Sequence, residues 1–383
     1  MYAAVFSLFL LLLLALSQYD SVAELLSRIA GRPLAVGAWA AAFVVTAFAV
    51  LFGHLCGRAF RRLGFACGDV AAWWLTAAVV GLSLGATSGG VWHGVAVVVS
   101  AVALWAAFLS WERHAGVRDA SAPFALRESR RLRRALAQAT ALCVFAALAP
   151  GVSRVTQYER RAAQALFNGD AAGALRVGER SLDSSAQLFA LRCFAWSKTP
   201  GALGGNVFSR SLPGGAAQKG GSELLLISGA GKSPYAAALA DSLSAALGTR
   251  LPVIGKGAAL PFFRACARKA GGKPSVAADY YLCALLLDKR LDEFASELRR
   301  YYGGAMSEGK ELPAAYSEAL ALYSHLHPAV VPPRAGAAVE ANWRDYSEMG
   351  DKIPDRLERA NTLRRYYGAT YWWYYDYAEL ERQ

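Results

Sequence analysis

The stretch Val70–Trp111, VAAWWLTAAVVGLSLGATSGGVWHGVAVVVSAVALWAAFLSW, runs for 42 residues without a charged side chain. A helix rises ~1.5 Å per residue and a bilayer's hydrocarbon core is ~30 Å thick, so about 20 apolar residues make one crossing. This run is roughly twice that length, and Ser88-Gly89-Gly90 near its midpoint is a turn signal. It reads as two helices in a tight hairpin. Three further uncharged runs, Met1–Tyr19, Pro33–Gly57 and Ala135–Ser153, each suit one span. The expected membrane domain therefore covers 1–153, with spans at about 1–19, 35–57, 70–88, 91–111 and 135–152.

Composition agrees with the runs. Of 383 residues, 55% are hydrophobic and only 18% charged, with a mean hydropathy of +0.25. General disorder and a disulfide-stapled miniature are both excluded, the latter because six Cys are too few for this length. The net charge of +12 raises nucleic acid as a partner. The position of the arginines argues otherwise, since they mark the ends of spans. Arg58, Arg61 and Arg62 follow the second run, and Arg127, Arg130, Arg131, Arg133 and Arg134 precede the last. Phe124 alone supplies an aromatic near that cluster, so single-strand binding lacks its stacking platform. Read by the positive-inside rule, these eight arginines face the cytoplasm, and the chain after the fifth span lies outside. The expected location is a bacterial inner membrane with a periplasmic carboxyl-terminal domain. Ala15-Leu16-Ser17 also has the small-x-small spacing of a signal-peptidase site, although no positive segment precedes it. Cleavage there would leave the outward domain unchanged.

Residues 154–383 change to charge-punctuated helical segments broken by Gly and Pro. Helices are expected at Arg154–Phe167, Ala171–Leu182, Ala186–Trp196, Ser233–Leu247, Ser275–Leu287, Leu291–Tyr302, Pro313–Leu326, Ala337–Glu348 and Pro354–Tyr367, with Pro313 and Pro354 as first-turn prolines. Seven Gly and two Pro make 200–222 a loop. The string Ala165-Leu166-Phe167-Asn168-Gly169-Asp170, then Ala174-Leu175 and Ser181-Leu182, resembles the core of a tetratricopeptide unit. No strict period runs through the whole stretch. The expected fold is all-α: a polytopic transmembrane bundle followed by an irregular tetratricopeptide-like α-solenoid.

The layout resembles an uncharacterised family of envelope proteins from Bacteroidetes-type bacteria, with several amino-terminal spans and a tetratricopeptide-like region. The resemblance rests on Tyr280–Asp288, Leu312–Leu320 and Gly368–Tyr375. It implies a location and an architecture, and no activity.

Candidate chemistry is sparse. Ser228-Gly229-Ala230-Gly231-Lys232-Ser233 follows an apolar run and imitates a phosphate-binding loop. Leu226 replaces the first required glycine, and Pro234 removes an amide, so it reads as a glycine loop capping a helix. His54 and His93 lie in or beside spans, where polar groups attract functional readings. His325-Leu326-His327 has no third ligand at a recognisable spacing, so neither a metal nor a cofactor is expected. Cys266 and Cys283, on neighbouring expected helices, are the better disulfide pair in an oxidising compartment; otherwise they are buried small residues, as Cys193 would be.

From Tyr366 to Tyr377, eight of twelve residues are Tyr or Trp. Such rings suit a closing cap on the helical domain, a protein-partner surface, sugar stacking or contact with lipid. Tyr366, Tyr367, Tyr371, Trp372, Trp373 and Tyr374 are the candidate partner-binding residues. The expected role is a scaffold that holds a protein partner at the periplasmic face of the bilayer. The alternative is a membrane-embedded enzyme acting on lipid-linked or envelope glycans, suggested by His54, His93 and the terminal rings.

Overall fold

The first helix, α1 (Tyr2–Leu16), carries no charge and ends early: the backbone N–H groups of Ser17 and Gln18 both turn back to the Leu13 carbonyl. The chain then bends by 89° into α2 (Tyr19–Ala30). The protein is described from a computed structural model that covers residues 2–64, 68–85, 91–119, 123–210, 212–213, 221–228, 233–252, 257–328 and 336–379. Every regular element among them is helical. The chain divides into two compact units, Met1–Arg160 and Arg161–Gln383, with the division falling inside α7 (Arg154–Phe167).

The first unit continues with α3 (Ala38–Arg62), α4 (Gly68–Gly85), α5 (Val91–Asp119) and α6 (Phe124–Leu148). Helices α1, α3, α5 and α6 all pack against one another or against α4, and α4 supplies the central aromatics. Phe6 meets Trp73 edge-on with ring centroids 5.7 Å apart, and Trp74 meets Phe145 at 5.4 Å. Small residues set the close approaches. A methyl group placed on Gly81 would lie 2.4 Å from the Ala149 Cβ, so only glycine fits between α4 and the end of α6.

Ala38–Arg62 and Gly94–Glu112 are long and apolar enough to cross a membrane, and the bent pair α1–α2 makes a third if it is one span. Their outer faces are apolar: Trp39, Phe43, Phe48, Leu51 and Leu55 on α3 are each more than half exposed, as are Val99 and Val102 on α5. A surface of that kind suits hydrocarbon as solvent. Two or three candidates replace the five expected spans, for identifiable reasons. Helix α1 is too short alone, and the expected loop 20–32 is mostly helix α2. Val70–Gly85 is apolar but shorter than a crossing needs. The expected span 135–152 is only the second half of α6, whose first half carries the arginine cluster. The turn near Gly89 lies outside the described residues.

The second unit is built around α13 (Val276–Leu287), in which every residue from Ala277 to Leu287 is buried. A helix apolar on all sides at this length is a core element rather than a span. Around it come α8 (Ala171–Arg176), α9 (Ala186–Trp196), α10 (Ala202–Asn206), a 3-10 turn (Gly221–Leu225), α11 (Pro234–Leu247), α12 (Ala259–Lys269), α14 (Leu291–Ser307), α15 (Ala314–Leu326), α16 (Ala337–Asp351), α17 (Arg356–Tyr367) and α18 (Tyr371–Tyr377). Side-chain caps start many of them. Asp170, Ser185, Ser233, Ser275, Asp355 and Thr370 each accept a first-turn backbone N–H, a contact worth about 1 kcal/mol.

Several expected boundaries shift. Helix α8 stops at Arg176 because Val177 is extended and Gly178 is left-handed at φ 63°. Pro313 is the N-cap of α15, and Pro354 lies just ahead of the Asp355 cap. Part of the expected 200–222 loop is helical, as α10 and the 3-10 turn. The helix contacts do not show a solenoid arrangement. In a solenoid each helix pair meets only its neighbours, whereas here α13 packs against α10, α11, α12, α14 and the 3-10 turn. The chain's last helix returns to it as well: Tyr374 Oη donates to the Leu287 carbonyl at 2.5 Å, and Lys289 Nζ to the Tyr375 carbonyl at 2.7 Å.

Candidate functional site

The aromatic carboxyl end separates into an interior and a surface. Thr370 caps α18 and turns its rings inward, so that Tyr371, Trp372, Trp373 and Tyr374 are all buried. The polar tips of Trp372, Trp373 and Tyr374 are satisfied from within, whereas the buried Tyr371 Oη has no hydrogen-bond partner among the described residues. Trp372 Nε1 donates to the Glu318 carbonyl at 2.7 Å, and Trp373 Nε1 to the Ala360 carbonyl at 2.9 Å. The Arg364 guanidinium lies over Trp373 at 5.2 Å. Trp343 and Tyr346 close the cluster against Trp372, with centroids 5.2 and 5.8 Å away. Of the six candidate residues, only Tyr366 is exposed, at 64%, with Tyr367 half-buried against Tyr346.

Tyr366 borders a groove of about 540 Å³ on α17, lined also by Asp355, Leu357, Glu358, Asn361, Thr362 and Arg365. Leu357 is half exposed there. One aromatic and one aliphatic side chain thus stand among both charge signs on a single helix face.

Beneath the cluster, the Glu318 carboxyl accepts the Tyr371 backbone N–H at 2.7 Å, yet burial pushes its pKa up to about 7. A second interior network centres on Asp279. Tyr302 Oη and Tyr316 Oη donate to its Oδ1 at 2.6 and 3.0 Å, and Tyr316 also meets Cys283 Sγ at 3.7 Å. Burial raises the Asp279 carboxyl and the two phenols hold it partly back. Nearer the surface, Arg264 Nε donates to Tyr281 Oη, which donates to Glu293, and Arg264 also pairs with Glu293. These polar groups join separate helices, 12 to 53 residues apart in sequence, which is why the linear reading passed over them.

The first unit holds a cluster that the sequence reading also missed. Helix α2 buries its polar side, Asp20, Ser21, Glu24 and Ser27, and leaves Ile29 76% exposed. Val22 and Ala23 are buried as well, so these polar groups share the interior with apolar neighbours. Arg28 pairs with Glu24 at 2.9 Å, and Arg160, 7% exposed, donates to Ser21 Oγ. The 3–4-residue spacing of Asp20, Ser21, Glu24, Ser27 and Arg28 was the available signal.

The remaining candidates are placed as follows. His54 packs edge-on against Trp73 at 5.7 Å, and the side chain of His93 lies outside the described residues. His325 stacks on Trp343 and reaches Glu340 at 3.4 Å, while His327 reaches Asp292 at 3.3 Å, so the two rings serve different neighbours. No group of three or more metal-ligating side chains occurs among the described residues. Residues 229–232 of the glycine loop lie outside the description, but Ser233 caps α11. Cys266 and Cys283 are free and buried, as is Cys193, which matches the second of the two readings, buried small residues. Burial pushes the Cys193 and Cys283 thiols up. Arg58, Arg61 and Arg62 are exposed at the end of α3. Arg127, Arg130, Arg131, Arg133 and Arg134 are helical residues of α6 rather than loop residues, with Arg127 and Arg134 half-buried.

No curated protein and no solved structure matches the chain. Residues 270–378, from the helix turn before α13 to the end of α18, match a family of unknown function (DUF6057).

Proposed function

We propose that the chain is a multi-pass protein of a bacterial inner membrane, whose second unit is a periplasmic scaffold that holds a protein partner through the outer face of α17. The membrane half of this reading is supported by the apolar, outward-facing sides of α3 and α5. The orientation is supported by the arginines that end α3 and open α6. On that reading α1–α2, α4 and the second half of α6 complete the membrane bundle around α3 and α5. The carrying observation for the scaffold is Tyr366 beside Leu357 on the α17 groove, exposed next to a cluster whose other rings are buried or half-buried. Exposed aromatic and aliphatic anchors rimmed by charge are how protein interfaces are built.

The test places a photo-crosslinking amino acid at position 366 in the full chain within its own membranes, with position 182 as a control. Leu182 is 82% exposed and far along the chain from the groove. A single defined adduct from position 366, absent from 182 and lost in Arg365→Glu, supports the proposal. Adducts equal at both positions, or unchanged by Arg365→Glu, overturn it. A cytosol-dependent reporter that is active when fused after residue 379 would overturn the orientation separately.

A further inference from the structure

Helices α5 and α6 diverge enough to leave an apolar groove of about 740 Å³, lined by Val97 and Leu104 of α5 and by Ala137, Ala141, Val144 and Leu148 of α6. We infer that this groove holds one acyl chain of an anionic phospholipid, whose phosphate sits on the arginine-bearing first half of α6. The inference rests on the membrane reading above.

Three observations carry it. First, the register: Gln138 Nε2 donates to Glu112 Oε1 at 2.8 Å, so the end of the apolar segment Gly94–Glu112 is level with the point where α6 turns from apolar to arginine-rich. The groove lies on the apolar side of that level and the arginines on the other. Second, the face: Arg127, Arg130 and Arg134 precede Ala137 by ten, seven and three residues, spacings that return to the same side of a helix. They therefore continue the strip formed by Ala137, Ala141, Val144 and Leu148. Third, the charge: the segment 127–134 holds five arginines and one glutamate. They sit in the amino-terminal half of α6. Guanidinium groups bind phosphate through paired hydrogen bonds, which makes a phosphodiester headgroup the complementary occupant.

The dimensions agree. From Ala137 to Ala149 the groove follows α6 for about 18 Å at ~1.5 Å per residue. One leaflet of a ~30 Å core is about 15 Å deep. An acyl chain entering beside Arg134 thus reaches the bilayer's middle along the groove.

The test uses the full chain purified in detergent and titrated with bromine-labelled phosphatidylglycerol or phosphatidylcholine, reading tryptophan quenching. Phosphatidylglycerol is expected to bind about tenfold more tightly than phosphatidylcholine. The triple variant Arg127→Gln, Arg130→Gln, Arg134→Gln should remove that preference, and Ala141→Phe, which fills the groove, should weaken both lipids. Each variant is compared at equal helical content, and if Ala141→Phe does not fold, the arginine variant decides alone. Equal affinity for the two lipids, or a preference untouched by the arginine variant, overturns the inference. So does an Ala141→Phe protein that binds lipid normally but changes its oligomeric state, because a second copy would then fill the groove. Alkaline carbonate washing of membranes separates the two levels. A chain released by it has failed the membrane reading, whereas a retained chain with no lipid preference has failed this inference alone.

Discussion

Arg160 Nη1 donates to Ser21 Oγ at 2.7 Å, joining the first turns of α7 to the polar side of α2 across 139 residues of sequence. The surrounding charges explain why so long a connection holds. Burial lowers the Arg160 pKa, and the carboxylates of Glu24 and Asp20 oppose that shift, so the guanidinium stays charged inside the unit. Arg160→Met should therefore cost about 3 kcal/mol, because it takes one buried positive charge away from two buried carboxylates. Asp20→Asn, Glu24→Gln and Arg160→Met together should recover most of it. Thermal unfolding of the three proteins in one detergent checks this; a triple variant no more stable than the single one would refute it.

The Glu318 carboxyl gives the second unit a pH dependence. Its folded pKa is raised to about 7 from an ordinary 4.5. The unfolded chain therefore releases this proton first, and the folded state keeps it longer. The contribution is fully present below pH ~4.5, declines as pH rises to about 7, and is gone above that. Its size is about 3 kcal/mol. Glu318→Gln keeps an acceptor for the Tyr371 N–H and cannot titrate. Denaturant midpoints at pH 5 and pH 8 should differ for the native chain by more than for this variant.

Gly204 faces the Tyr316 ring so closely that an added Cβ would lie 2.4 Å from its Cζ. The ring cannot yield easily, since its hydroxyl is bonded to buried Asp279. Gly204→Ala should destabilise by about 1–3 kcal/mol. Gly205 has no atom within 4 Å of the same added carbon, so Gly205→Ala should be neutral or slightly stabilising. Equal melting temperatures for the two variants would contradict the packing.

The aromatic end offers a contrast between neighbours. Trp373 is buried and donates to the Ala360 carbonyl, so Trp373→Ala should cost about 3–5 kcal/mol. Trp373→Phe should cost about 1–2 kcal/mol, mainly the unpaired carbonyl. Tyr366→Ala should stay within about 0.5 kcal/mol, as exposed positions do. Chemical denaturation of the three variants orders them, and a large loss at Tyr366 would break the division between interior and surface.

Local order was legible without coordinates wherever the signal spans a few turns of chain. Helices α7 and α9 have the bounds that apolar spacing predicts, and Ser185, Ser233 and Ser275 cap where a helix start is read. Helix α12 was legible only as a helix carrying Cys266, without bounds, and α18 was not legible. The first follows a glycine-bearing stretch, and the second hides its periodicity in a run where nearly every residue is aromatic.

By its own composition and periodicity, this amino-acid chain determined a helical protein with an apolar first part and a charge-punctuated second part. Hydrophobic runs, caps and glycine breaks act over one or two turns, so their meaning travels with the local residues. Tertiary structure decided what those residues do for one another. It made α13 a buried hub rather than one member of a row, and turned α2 polar side inward toward Arg160. It also enclosed Trp372 and Trp373 while leaving Tyr366 outside. Such choices depend on which distant helix covers a face, and burial is a property of that pairing rather than of any single segment.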